Sequence, residues 1–156
     1  MAQIQYAAST GASPFTSTTA AQTAIAIVNA ATDCGIQLNG YRLAFNGTTT
    51  TNPPVTVRFF TTNNATAGTS SALTIGQVSG RTLTIANITA AGGYTAEPTT
   101  KTYLQDAFLL TPAGGTVIWD YPEGRQPDAG TASSLGLEIT ASVAVGTETS
   151  LWFSRI

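Results

Sequence analysis

Histidine is absent from these 156 residues, and only 9% of them are Asp, Glu, Lys or Arg. Without imidazole the chain lacks the side chain that most often serves as a general base near neutral pH and the commonest ligand in zinc sites. Lys101 is the only lysine and no Ser-x-x-Lys pattern occurs, while Cys34 is the only cysteine and has no histidine to activate it. Nucleophilic catalysis therefore has no partnered nucleophile to start from. A single cysteine also rules out an internal disulfide, so Cys34 is expected to be a small buried hydrophobe.

Positive charge is equally scarce. Arg42, Arg58, Arg81, Lys101, Arg125 and Arg155 are spread along the chain, and no cluster of them could neutralise several phosphates together, which argues against direct nucleic-acid binding. No apolar run approaches the ~20 residues of a membrane span, and "MAQIQYAASTGASPF" has neither a basic leader nor an apolar segment. The expectation is a soluble protein made in the cytoplasm, with no membrane partner. No Gly-x-x-x-x-Gly-Lys motif is present, so nucleotide binding has no support and no cofactor is expected.

What is present is threonine, alanine, serine, asparagine and glycine, with 42% hydrophobic residues and a net charge of −2. That is enough apolar material to build a core, unlike the low-hydrophobicity, high-charge composition of disordered chains. Period-2 alternation marks strands at Val55–Phe59, Arg81–Ile85 and, most clearly, Ser134–Val145. Ala24–Asn29, Ile36–Phe45, Tyr103–Leu110, Thr116–Tyr121 and Ser150–Arg155 are further candidates. "STTAAQTAIAIVNA" could be helical by its alanines, but its β-branched residues favour a strand. About eight antiparallel strands in one domain predict an all-β sandwich of jelly-roll type. "NGTTTTNPP" and "TTNNATAGTSSALTIGQVSG" are polar and turn-rich, and are expected to be loops. Residues 1–15 show little patterning and are expected to form an extended arm, with the sandwich over 16–156.

The densest chemistry lies in "VIWDYPEGRQPDAG", Val117–Gly130. Asp120 and Glu123 could form a glycosidase-type carboxylate pair, with Trp119 or Trp152 stacking on sugar. Asp120, Glu123 and Asp128 could hold calcium, although their spacing fits no defined loop, and no metal site is assigned. The simpler reading ends a strand at Tyr121, turns it at Pro122-Glu123-Gly124, and leads on to the strand at Leu135. Trp119, Tyr121 and Trp152 are then core or subunit-interface residues, and Arg125 and Asp128 are candidates for pairing with another subunit or with the capsid. A carbohydrate-binding or host-adhesion module is the alternative, since stacking aromatics and a few polar groups suffice for it.

"ATAGTSSALT", "TAEPT", "VIWDYPEGRQ", "SLGLEITASVAV" and "SLWFSRI" together give the chain a resemblance, over roughly residues 20 to 156, to small Ala- and Thr-rich virion proteins that phages and prophages encode near their major capsid protein. The resemblance implies a capsid decoration or cement protein, non-enzymatic, sitting on the outer surface of the virion shell. It implies the major capsid protein as partner, and homo-oligomers that are most often trimers and sometimes dimers. On that expectation Ile4, Tyr6 and Phe15 of the arm would touch the capsid.

Overall fold

A computed structural model describes residues 4–11, 15–17, 20–45, 53–79, 85–104, 107–112 and 115–156; for 15–17 the backbone alone is described. The first strands are β1 (Gln5–Ser9), β2 (Phe15–Ser17), β3 (Gln22–Asn29), β4 (Ile36–Phe45) and β5 (Val55–Asn63). Next come β6 (Thr69–Leu73), β7 (Ile75–Ser79), β8 (Ile88–Ala96), β9 (Thr102–Tyr103) and β10 (Phe108–Leu110). β11 (Thr116–Asp120), β12 (Asp128–Ala129), β13 (Ser133–Thr140) and β14 (Val145–Arg155) complete the set.

These strands form two antiparallel sheets packed as a β-sandwich. The first runs β11-β4-β14-β1-β7, with β12 also on β4 and β2 on β14; the second runs β10-β5-β13-β3-β8-β6, with β9 also on β5. The described residues form fourteen strands rather than the expected eight or so. With β11 and β12 counted as one, β1, β3, β4, β5, β8, β11/β12, β13 and β14 trace the jelly-roll path. Numbered from one to eight along the chain, they give the first sheet the jelly-roll order six, three, eight, one. In the second sheet the fifth strand, β8, leaves its jelly-roll place beside β5 and lies against β3 at the opposite side.

That displacement is bridged by a strap. From Ala96 at the end of β8 the chain must cross β3, β13 and β5 to reach β9 on the far edge. Four interstrand spacings of ~4.8 Å need about 19 Å, and the six steps from Ala96 to Thr102 supply about 20 Å only if extended. The strap is pinned at each strand it passes. The Thr23 amide and hydroxyl of β3 donate to the Glu97 carboxylate at 2.5–3.0 Å. Lys101 Nζ donates to Glu138 Oε2 of β13 at 2.7 Å and to Glu97 Oε2 at 2.9 Å. The same ammonium lies 4.8 Å from the centre of the Phe60 ring of β5. Phe60 in turn lies over Gly136, where a Cβ would meet the ring at 2.5 Å. The Tyr103 hydroxyl completes the clamp on Glu138 at 3.2 Å.

The core fills the space between the sheets with Ile25, Ile27, Leu43, Phe59, Leu137 and Leu151 among its fully buried members. β14 shows the alternation that builds it, with Val145, Thr147, Thr149, Leu151 and Phe153 all inward.

Several expectations need correction. The predicted long strand at Ser134–Val145 is two: β13 ends at Thr140 in the second sheet, and Val145 opens β14 in the first. The alternation runs on through the corner because both inner faces address one core, with Ala141 and Val145 buried on either side of it. Tyr103–Leu110 is two short edge strands rather than one. The expected loop at "TTNNATAGTSSALTIGQVSG" contains β6 and β7. The strand expected at Arg81–Ile85 lies outside the described residues except for Ile85, which packs against the core.

The N-terminal arm is corrected most strongly. β1 is an inner strand of the first sheet, with Tyr6 opposite Phe153 of β14 and opposite Gln77 of β7. Tyr6 and Ala8 are buried, the Tyr6 ring stacks on Phe153 at 5.7 Å between centroids, and Ile4 packs against the core. Tyr6 is therefore a core residue with almost no surface to offer a capsid, while Ile4 is partly buried beside it. Phe15 lies in β2, whose backbone pairs with β14 opposite Thr147, and its side chain is outside the described part.

Candidate functional site

The stretch that drew attention in the sequence forms one interrupted edge strand. β11 pairs with Ala44–Gly40 of β4, and β12 resumes on the same strand at Gln37 and Ile36. Between them the Tyr121 amide donates to Asn39 O at 2.8 Å and Pro127 O accepts from the Leu38 amide at 2.8 Å. The chain therefore leaves the sheet edge after Tyr121 and rejoins it at Pro127. Pro122 has no amide proton to continue the ladder, Gly124 takes the positive φ of 78°, and Arg125 N closes the turn on Pro122 O at 3.0 Å. The turn was expected to lead to the strand at Leu135; instead it returns to its own edge. Excursions of this kind also blunt an open sheet edge.

Beside this edge lies the edge of the second sheet, β10. The two are separated by a groove of about 560 Å³. Tyr41, Phe108 and Tyr121 form its floor, and Trp119, Leu109 and Arg125 its mouth. Below the floor Tyr41, Phe59, Phe108 and Tyr121 make a continuous aromatic cluster with centroids 5.1–6.4 Å apart, and burial pushes the Tyr41 phenol pKa up. Trp119 is 52% exposed and Leu109 67%, and Ile118 on the outer face is 62% exposed. β11 sits tight on its neighbour: a Cβ on Gly40 would come within 2.5 Å of Trp119 O.

Trp119, Tyr121 and Arg125 all line this groove. Trp152 is half-buried on the outer face of the first sheet, with Ala7 and Gly40 as its cross-strand neighbours, and does not line the groove. A hollow of about 240 Å³ there is bordered by Trp152, Gln5, Asn39, Val78, Asp120, Gln126 and Tyr121, so Tyr121 borders both. Asp128 is exposed on β12. Asp120, Glu123 and Asp128 do not converge on a point, and among the described residues no three His, Cys, Asp or Glu side chains are grouped to hold a metal ion.

The sequence reading missed two features. Phe108, Leu109 and Leu110 form one wall of the groove, and the alternation of "FLL" is too short to show it. The Glu97–Lys101–Glu138 clamp was also missed. Its one local signal is the i, i+4 spacing of Glu97 and Lys101, and Glu138 is supplied from 37 residues away. Burial works against the Lys101 ammonium, but hydrogen bonds to Glu138 and Glu97 outweigh it and hold its pKa above the ordinary lysine value. With every polar group engaged by another, this cluster is a fastening. No family model, no curated protein and no solved structure matches this chain.

Proposed function

We propose that this chain is a structural virion protein, a capsid decoration or cement protein that binds the outer surface of a phage capsid and bridges neighbouring capsomers. Its partners are the major capsid protein and further copies of itself, and no catalytic step is involved. The observation that supports this reading is the set of large apolar side chains left exposed on the β10 and β11 edges, Leu109, Ile118 and Trp119, of which Leu109 and Trp119 line the groove. Isolated apolar side chains on a surface need no explanation, whereas several gathered around a groove mark an interaction site. The resemblance of its residue pattern to small phage virion proteins suggests the setting of that interaction. Repetition around a symmetric shell lets modest contacts add up, because each bound contact raises the effective concentration of the next.

The test is co-sedimentation of the purified protein with capsids that lack it. Wild-type protein is expected to pellet with the particles to a fixed stoichiometry and to raise their resistance to heat, and Ile118→Asp, on the outer face away from the groove, is expected to weaken pelleting. Absence of saturable binding to any such capsid would rule the reading out.

One observation favours a second reading, a carbohydrate-binding or host-adhesion module. Trp152 lies on an open sheet face between small neighbours, with the amides of Gln5, Asn39 and Gln126 around it, a stacking surface with polar groups at its rim. Titration with oligosaccharides should then quench tryptophan fluorescence in wild type and not in Trp152→Ala. A flat titration against a broad glycan panel removes this alternative.

A further inference from the structure

Ionic groups in this fold are mostly engaged inside the chain. Lys101 holds Glu97 and Glu138, Arg42 lies 3.4 Å from Glu148, and Arg155 lies 3.7 Å from Asp33. Arg58 stacks over the Tyr103 ring at 5.0 Å. Among the described residues, the charges that make no ion pair and no ring contact are Asp120, Glu123, Arg125 and Asp128. Glu123 and Arg125 fall in the excursion of the β11/β12 edge, Asp120 and Asp128 sit on the strand ends that flank it, and Arg125 lines the apolar groove.

Exposed apolar side chains concentrate on the same side. Tyr103, Leu104 and Leu109 lie along the β9/β10 edge, and Ile118 and Trp119 on β11; elsewhere only Val78, Val143 and Ile156 are large, apolar and exposed among the described residues. An apolar centre with a charged rim is the anatomy of a protein interface.

The mixture of signs selects the occupant. A foreign partner with a charged patch would be met by one sign, as acidic surfaces meet basic ones. Across a two-fold axis, residue i of one copy meets j of the other and j meets i, so the same short segment must carry both signs. Arg125 flanked by Glu123 and Asp128 satisfies that requirement.

We infer that the groove mouth is occupied by a second copy of this chain. The two-fold axis passes beside the 121–127 excursion, Trp119 and Leu109 form the apolar centre, and Arg125 pairs with Glu123 or Asp128 of the partner subunit. This deepens the self-association part of the proposed function and rests on that part alone; it is tested without capsids, so its outcome is separate from particle binding.

The experiment is sedimentation velocity on the purified full chain over a concentration series, with circular dichroism as the control for folding. Wild type is expected to dimerise. Among the charged residues between 120 and 128, Arg125→Glu leaves only acids, and Glu123→Arg/Asp128→Arg leaves one acid among three bases. Each variant alone is expected to dimerise roughly tenfold or more weakly, while an equimolar mixture of the two restores a dimer, because opposite charges then face each other at both symmetric contacts. Trp119→Ser is expected to weaken association of wild type and of the mixture alike. Wild type that stays monomeric throughout the series overturns the inference, as does a mixture no tighter than its components. If wild type is monomeric and Arg125→Glu instead abolishes binding to capsids, the groove belongs to the capsid protein.

Discussion

Lys101→Met is expected to lower the unfolding free energy by about 3–5 kcal/mol, the usual cost of removing one partner from a buried ion pair. Lys101 is 11% and Glu138 4% exposed at the side chain, so the substitution strands a carboxylate beneath the strap with the Tyr103 hydroxyl as its remaining donor. The loss should be read by urea denaturation, with Arg42→Ala alongside. The Arg42–Glu148 pair is about two-fifths exposed at both ends, and pairs of that kind contribute about 1 kcal/mol or less. Adding Glu138→Gln to Lys101→Met removes the stranded charge and should recover part of the loss. Equal costs for Lys101→Met and Arg42→Ala would show that the clamp carries no special weight. The same clamp predicts a pH dependence. Folding raises the Lys101 pKa above its ordinary 10.5, so the folded chain holds this proton more tightly than the unfolded chain does. The contribution is complete below about pH 10 and is lost as pH rises through the raised pKa.

Tyr6→Ala is expected to destabilise the domain by about 3–5 kcal/mol, as large-to-small changes of buried aromatic residues do. The Tyr6 ring is 4% exposed and stacked on Phe153. Deleting residues 1–9 goes further, since it removes the strand between β14 and β7 and leaves β7 with no partner in the first sheet. The truncated chain is expected to lose cooperative unfolding and near-ultraviolet dichroism. A free arm would behave in the opposite way, and a truncated chain that unfolds like the full one would refute the placement of β1.

These two cases also show where the sequence was legible. The limits of β4, Ile36–Phe45, match the apolar run read between turn-forming clusters, although its inward face shifts phase at Gly40-Tyr41. Runs of that kind also located β3 and β11, and alternation located β5 and β13. It failed where side chains do not report burial. In β6 nearly every residue is exposed, so the strand is held by backbone pairing and carries no pattern. In β8, "ITAAGGYTA", small residues are buried without being strongly apolar. In β1 the alternation of Tyr6 and Ala8 spans too few residues to be distinguished from an arm.

The candidate site was half legible. Trp119, Tyr121 and Arg125 stood out because charge and aromatics are rare elsewhere in the chain. That the excursion returns to its own sheet edge, and that β10 supplies the opposite wall, depend on pairings of β4 and β5 that no local pattern encodes. The strap depends likewise on the displacement of β8 to the far side of its sheet, a property of topology rather than of any segment.

Electron microscopy of particles with and without this protein tests the proposed capsid decoration most directly. A decoration protein is expected to add density on the outer surface of the capsid, repeated at symmetry-related positions and bridging neighbouring capsomers. Density confined to the tail tip, or identical particles in the two cases, would contradict it.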